Sequence, residues 1–303
     1  MARHYLISIS GGKDSTALWL HMKYDLGLEN LIPVFADTGW EHPLTYEYLH
    51  YLETKLGKLH RVKSDLDFVG LAVKKQRFPS ARARFCTEHL KLKPCRDFIE
   101  SLGLDDLVIC SGVRHEESKS RSKMAERVDC DDYYKRPQWR PIITWTWQQV
   151  FAIHDKYSIE PNPLYKHGMG RVGCMPCIMA NNRELKAIAE RFPEVFDKVA
   201  EAEQRVSASA KRGCASFWTA GDIPERFCSK KWVQIIKGGR DKKTGRFRLP
   251  YAVEHPIPTP EDVRRYVTMD KEEKQVGHKM PLLFEEPQNE DLGVCSSIYG
   301  LCE

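Results

Sequence analysis

Apolar and polar positions in the first half of the chain follow two alternating rhythms. Short apolar runs at residues 5–9, 31–36, 59–62 and 107–110 have the length of buried strands. Between them lie longer stretches with helical spacing: residues 15–24, where Leu18, Trp19 and Met22 share an apolar side, then 46–56, 66–75 and 94–102. This alternation predicts an α/β fold: a doubly wound, mostly parallel sheet with helices on both faces. Such sheets bind ligands at the carboxyl ends of their strands, so the chemistry is expected just after each apolar run.

The rhythm changes near residue 180. Residues 182–210 read as two helices, with Pro193 starting the second. Residues 211–250 mix Trp, Phe, Lys, Arg and Gly with no clear period, and the acidic last stretch carries Cys295 and Cys302. The expected organisation is a catalytic domain over 1–180 and a mainly helical C-terminal extension over 181–303. That extension is basic and aromatic at 211–248 and ends in a cysteine-containing tail.

Composition narrows the class. Hydrophobic content of 42% and charged content of 29% are ordinary for a globular protein. No apolar run approaches the roughly eighteen residues a membrane span needs, and the start lacks a signal-peptide pattern. A cytoplasmic protein with no membrane partner is expected. Ten cysteines in a reducing compartment read first as metal or redox chemistry, not as a disulfide framework. The net charge of +5 is unevenly spread, because residues 211–248 hold eleven Lys/Arg against three Asp/Glu.

The first strand runs directly into Ser10-Gly11-Gly12-Lys13-Asp14-Ser15 and then a helix. Glycines let the backbone approach a phosphate closely. Amides at the helix start point at the anion, and the helix dipole favours its charge. Lys13 adds a compact cation, and Ser10 and Ser15 add hydroxyl donors. Asp37 stands just past the second strand, where it can reach a ribose or a magnesium ion, or cap the next turn. Arg114 follows the strand at 107–110 into a loop and suits bidentate phosphate contact, with Lys119 and Arg121 beyond it.

These residues carry a family resemblance. Ser10–Ser15 resembles the PP-loop of ATP pyrophosphatases, in the adenine-nucleotide alpha-hydrolase superfamily, which cleave ATP between its α and β phosphates and adenylate a substrate. Asp37-Thr38-Gly39-Trp40-Glu41, then Gly112-Val113-Arg114 with Glu117, Ser118 and Arg121, then Asn162-Pro163-Leu164-Tyr165 and Gly173-Cys174-Met175-Pro176-Cys177 resemble successive motifs of the phosphoadenosine phosphosulfate (PAPS) reductase family. The resemblance implies an adenine-nucleotide alpha-hydrolase-like fold, ATP and Mg²⁺ as ligands, and catalysis by Lys13, Asp14, Ser15, Asp37 and Arg114. Nucleotide binding would add Ser10, Gly11, Gly12, Thr38, Gly112, Glu117, Ser118 and Arg121. Replacing Asp14 or Ser15 with Ala is then expected to abolish turnover and leave the fold intact.

Cys174 and Cys177 form a Cys-x-x-Cys pair, half of a tetrahedral metal site or a redox dithiol. In assimilatory adenosine phosphosulfate reductases such a pair joins an earlier Cys-Cys pair around a [4Fe-4S] cluster. Here Cys86 matches one of those positions and Thr87 stands at the other, a form similar to the DNA phosphorothioation branch of the family. The implied ligands are Cys86, Cys174, Cys177 and Cys302, with Cys295 as the alternative fourth; Cys95, Cys214 and Cys228 are further candidates. A buried, inert thiol is expected of Cys110.

Cations interleaved with Phe217, Trp218, Phe227, Trp232 and Phe247 suit single-stranded nucleic acid, and equally a solvated basic face over an aromatic core. In the first case binding would depend on Lys230, Lys231, Lys242 and Lys243. The leading expectation is an ATP-dependent enzyme that adenylates an acceptor, a nucleic acid, for iron–sulfur-dependent sulfur insertion, with a sulfur-donor protein such as a cysteine desulfurase as partner. The alternatives are a PAPS or adenosine phosphosulfate reductase, and a non-catalytic nucleotide- or nucleic-acid-binding protein with a structural metal.

Overall fold

The computed structural model describes residues 2–219, 221–237, 239–240, 247–270 and 274. Their contacts divide them into two compact units. The first takes the chain up to Leu71 and Pro79–Ala187, and the second takes Ala72–Phe78 and the described residues from Ile188 onward.

The first unit is built on strands β1 (His4–Ile9), β2 (Leu31–Asp37), β3 (His60–Lys63), β4 (Leu107–Cys110), β5 (Arg127–Val128) and β6 (Gln138–Trp139). They form one sheet in the order β3-β2-β1-β4-β6-β5, in which every pairing is parallel except that of β5 with β6. This is the doubly wound, mostly parallel sheet expected from the sequence. Strand side chains alternate between faces, and the core divides accordingly. Ile7, Ile9, Phe35, Val108 and Cys110 pack with residues of α1 (Lys13–Leu20), α2 (Pro43–Leu56) and α6 (Trp147–Lys156). Leu6, Val34, Ala36, Leu107 and Ile109 pack on the other side with Cys95 and Ile99 of α5 (Lys93–Ser101).

Local chemistry sets the helix ends. Pro43 opens α2 after His42, whose ring accepts the Leu44 amide at 3.2 Å, and Gly57 closes it at φ 105°. Thr146 and Gln149 cap each other's backbone at the start of α6. Two further α-helices, α3 (Phe68–Lys75) and the single turn α4 (Phe85–Thr87), and the start of α7 (Asn182–Arg191) also lie before residue 187, with π-helical turns at His21–Asp25 and Glu88–Leu92 and 3-10 turns at His115–Glu117, Arg121–Lys123 and Pro163–His167. Cys110 is fully buried, and burial pushes its thiol up, which fits an inert packing role. Burial likewise pushes the Cys95 thiol up to about 12, and Cys95 packs in the core beneath α5.

In the second unit Pro193 caps α8 (Glu194–Ser209), and Thr259 and Asp262 form a capping box on α9 (Pro260–Thr268). Residues 211–250 show no periodicity, yet they supply half of an antiparallel ribbon. Strand β7 (Lys230–Ile236) pairs with β10 (Tyr251–Ile257), and β8 (Gly239–Arg240) with β9 (Phe247–Arg248). The extension therefore combines helices with a ribbon. Among the described residues no helix is long and apolar enough to cross a membrane.

Glu203 on α8 accepts the Phe217 amide at 2.7 Å and the Ser216 hydroxyl at 3.0 Å, both on Oε1. Burial pushes its carboxyl up to about 7 against those hydrogen bonds. Its stabilising contribution is therefore complete below the ordinary value near 4.5 and is lost as pH rises through about 7. Glu203→Gln keeps the accepting oxygen without the charge. Relative to this variant, the parent should lose stability between pH 5 and pH 8, by up to about 3 kcal/mol. Thermal melts at the two pH values check this, and an equal gap at both would contradict it.

Candidate nucleotide-phosphate site

Strand order reverses at β1: β2 and β3 lie to one side, β4 and β6 to the other. The carboxyl ends of β1 and β4 thus flank the crevice where doubly wound sheets bind ligands. The Ser10–Ser15 loop leaves β1 at this point. Its shape is held internally. The Ser10 amide donates to Ser15 Oγ at 3.2 Å, the Gly12 amide to Ser10 Oγ at 3.2 Å, and Ser15 Oγ to the Gly12 carbonyl at 3.1 Å. Gly11 sits at φ 82°, a conformation that other residues adopt at a cost. Gly12 is the N-cap of α1 and supplies no side-chain cap, so the loop leads into a helix start that suits an anion.

Two cations converge behind this loop. Asp14 is fully buried, with Lys13 Nζ 2.7 Å from Oδ2 and Arg114 Nε 2.5 Å from Oδ1. Arg114 also reaches Glu116 at 2.9 Å and the Trp145 carbonyl at 3.3 Å. Burial opposes its charge, but Asp14, Glu117 and Glu116 outweigh burial and hold the guanidinium above its ordinary value. Arg114 comes this close because Gly112 precedes it. A Cβ on Gly112 would stand 2.9 Å from the Asp14 carbonyl oxygen and 3.1 Å from the Ser15 amide nitrogen, both backbone atoms. Gly112→Ala must therefore push the phosphate loop aside at about 1–3 kcal/mol. The ATP affinity that the sequence resemblance implies, measured by calorimetry, should fall by about tenfold or more; unchanged affinity would show that the loop is not part of the site.

Glu117, Ser118 and Arg121, read from sequence as nucleotide contacts, brace the Arg114 loop from within. Glu117 accepts the Arg114 amide at 2.6 Å and pairs with Arg121 at 2.5 Å; Ser118 Oγ accepts the Arg121 amide at 3.2 Å. Arg121 is almost wholly buried, while Lys119 is exposed.

A supporting layer comes from residues 154–165. Asn162 Nδ2 donates to the Gly11 carbonyl at 3.1 Å, and the Lys13 amide donates to the Tyr165 hydroxyl at 2.9 Å. Lys13 Nζ lies 5.3 Å from the Tyr165 ring centroid. Fully buried His154 places Nε2 2.9 Å from the Lys13 carbonyl oxygen and Nδ1 3.0 Å from that of Ile159. Asn162 and Tyr165 belong to a motif visible in the sequence, although neither counted there as a site residue. His154 gives no signal beyond its residue type.

At the end of β2, Asp37 Oδ1 accepts the Gly39 amide at 2.9 Å and the Tyr46 hydroxyl at 2.8 Å. The same hydroxyl lies 3.0 Å from Glu41 Oε2. Burial, then the Glu41 and Asp37 carboxylates, push the Tyr46 phenol far up, so it stays a neutral donor. Thr38 Oγ1 donates to buried Glu41 at 2.7 Å. The Cys-x-x-Cys segment docks on this loop. Glu41 and Cys174 form a β-bridge, the Met175 amide donates to the Trp40 carbonyl at 2.8 Å, and the Trp40 indole to the Pro176 carbonyl at 3.0 Å. Cys174 Sγ lies 3.5 Å from Thr38 Oγ1 and 3.7 Å from Glu41 Oε1.

Thiol donors suit iron–sulfur clusters or zinc, but those among the described residues are not placed as such a site. Among the described residues, no three His, Cys, Asp or Glu side chains converge as metal ligands. Cys86 lies in α4 and does not join Cys174 and Cys177 in such a group. Cys214 and Cys228 belong to the second unit, and Cys295 and Cys302 fall outside the described residues, as do Lys242 and Lys243.

This geometry defines a doubly wound domain with a glycine-rich loop and helix start at its switch point. The model of the phosphoadenosine phosphosulfate reductase domain matches residues 4–180. The chain belongs to the PAPS reductase family. A 37.8 kDa protein of Escherichia phage 186 is 36% identical over 76% of this chain and 83% of its own length. An adenosine 5'-phosphosulfate reductase of Anoxybacillus flavithermus is 27% identical over 48% of this chain, and the match spans 60% of that enzyme. A PAPS reductase from Candida auris, solved as a phosphate complex, superposes with a TM-score of 0.45 at 16% identity, covering 57% of this chain and 82% of that one.

Proposed function

We propose that the chain is an ATP pyrophosphatase-type enzyme. ATP binds with Mg²⁺, its phosphates on the Ser10–Ser15 loop and its ribose side near Asp37 and Thr38. An acceptor oxygen attacks the α-phosphorus, the bond from that phosphorus to the oxygen bridging the β-phosphate breaks, and pyrophosphate leaves with its electron pair. Lys13 and Arg114 stabilise the charge that builds on the phosphates. The observation that carries this reading is the convergence of Lys13 and Arg114 on Asp14 at the glycine-capped start of α1.

The proposed acceptor is a nucleic acid. In the proposed second half-reaction the outer sulfur of a persulfide on Cys174, loaded by a donor protein such as a cysteine desulfurase, displaces AMP; the Cys177 thiolate then attacks Cys174 Sγ, which frees the thiolated acceptor and leaves a Cys174–Cys177 disulfide for an external thiol to reduce. Cys174 and Cys177 are the proposed sulfur-handling pair, supported by their dock on the Asp37–Glu41 loop. Iron and sulfide analysis of protein prepared without oxygen tests the cluster expected from the sequence, which requires Cys86 to move to this pair. A colourless protein with one zinc per chain would remove the cluster. The second reading, sulfonucleotide reduction, is supported by the A. flavithermus relative's activity. Incubation with adenosine phosphosulfate and a thiol separates the two: no sulfite is expected, and its release would replace ATP cleavage with reduction.

A further inference from the structure

We infer that the β7–β10 ribbon of the second unit is an arm that lies in the major groove of duplex DNA. This deepens the acceptor half of the proposed function. Strands β7 and β10 pair over seven residues, from Lys230↔Ile257 to Ile236↔Tyr251, and β8 and β9 pair beyond them at Gly239↔Arg248 and Arg240↔Phe247. Seven residues at about 3.4 Å each make a ribbon of about 24 Å. A two-stranded ribbon fits the roughly 12 Å width of the B-form major groove.

Opposed residues of an antiparallel pair share a face. One face carries Lys231, Val233 and Ile235 opposite Pro256, Glu254 and Ala252. Val233 is 50% exposed and Ile235 73%, so this apolar strip is open along its length. On this face Lys231 pairs with Glu254 at 2.6 Å; exposed Lys230 and Lys237 flank it, and Arg240 and Arg248 stand on the β8–β9 strands. Glu254 is the one acidic residue in the sequence of the four strands. An isolated two-stranded ribbon is marginal in water. A polyanion with methyl groups in its groove, as thymines provide, complements both the charge and the apolar strip.

The aromatic side chains favour a duplex over a single strand. Binding single strands calls for open rings on which bases stack. Phe217 and Trp218 are instead buried, Trp218 stacked on Phe196 at 5.6 Å and Phe217 against Phe78 at 5.5 Å. Phe227 packs on Tyr266, and Trp232 stacks on His255 at 5.2 Å with Arg212 over its ring. Four of the five aromatic residues of the single-strand pattern are thus engaged in packing, whereas Phe247 is 69% exposed and Lys230, Lys231 and Lys237 lie outside. A-form RNA hides its bases in a deep, narrow major groove, which makes DNA the matching duplex.

The test is fluorescence anisotropy of the full chain, without ATP, on a labelled mixed-sequence DNA duplex, one of its single strands, and the duplex RNA of the same sequence. Omitting ATP separates failure here from failure of ATP cleavage. Duplex DNA should bind about tenfold or more tightly than the other two. Lys230→Gln with Lys237→Gln, Arg240→Gln and Arg248→Gln should lower the slope of log affinity against log salt by up to about 3.6, at about 0.9 for each phosphate that is no longer neutralised. Circular dichroism of this variant should match the parent. Val233→Ser with Ile235→Ser should weaken duplex binding and leave the salt slope unchanged. A single strand or RNA duplex bound as tightly as duplex DNA would overturn the inference. So would an unchanged salt slope in the charge variant.

Discussion

Replacing Lys13 with methionine is expected to cut ATP turnover by about 10²–10³-fold, the usual loss when one preorganised group facing transition-state charge is removed. The substitution is informative because the fold does not depend on this cation. Lys13 Nζ pairs with Asp14, but Asp14 keeps Arg114 at 2.5 Å when Lys13 is gone. Methionine retains a long apolar stem to lie against the Tyr165 ring, where the Lys13 chain already sits. Circular dichroism and melting temperature should therefore stay near the parent while kcat falls. A variant that turns over ATP at the parent rate would remove Lys13 from the chemistry.

Asp14→Ala should behave differently, with a loss of stability of about 3 kcal/mol or more. The sequence pattern alone makes Asp14 a catalytic residue that folding can spare, and the structure corrects that expectation. Its carboxylate is fully buried and balances Arg114, whose side chain is only 4% exposed. Removing Asp14 takes the buried carboxylate away from a buried guanidinium, which then faces half-open Glu116 and the Trp145 carbonyl. Urea unfolding measures the loss. Asp14→Asn, which fills the same space and still accepts a hydrogen bond, should lose less. Ser15→Ala is the milder probe of the loop, because Ser15 staples Ser10 to Gly12 through neutral hydrogen bonds. An Asp14→Ala protein as stable as the parent would show that Arg114 finds its balance elsewhere.

The central sheet was legible because its strands are buried on both faces and read as continuous apolar runs. The phosphate loop was legible because close approach to an anion demands glycine and a helix start at one fixed place, right after β1. Gly112 and Arg114 were legible as a motif, but the reason for Gly112 lies in the Asp14 and Ser15 backbone across the crevice. Spacing along one chain does not show such contacts. The roles of Glu41 and Tyr46 were hidden for the same reason, since they act through side chains brought together by the β2–α2 turn. The ribbon was hidden because it has no buried face along its length, so its strands lack clean alternation. Val233 and Ile235 are exposed where a half-buried strand would carry polar residues. The aromatics of 211–248 gave a binding signal that packing largely absorbs, because a stacking platform and a small core use the same residue types.

One bond decides the proposed function: that between the α-phosphorus of ATP and the oxygen bridging it to the β-phosphate. The direct measurement is incubation of the full chain with magnesium and ATP labelled at the α-phosphate, with and without duplex DNA, followed by separation of the labelled products. Cleavage at the Ser10–Ser15 loop predicts labelled AMP or AMP joined to the acceptor, pyrophosphate in equal amount, and loss of both in Lys13→Met. Labelled ADP with orthophosphate would contradict it, because cleavage would then fall between the β and γ phosphates.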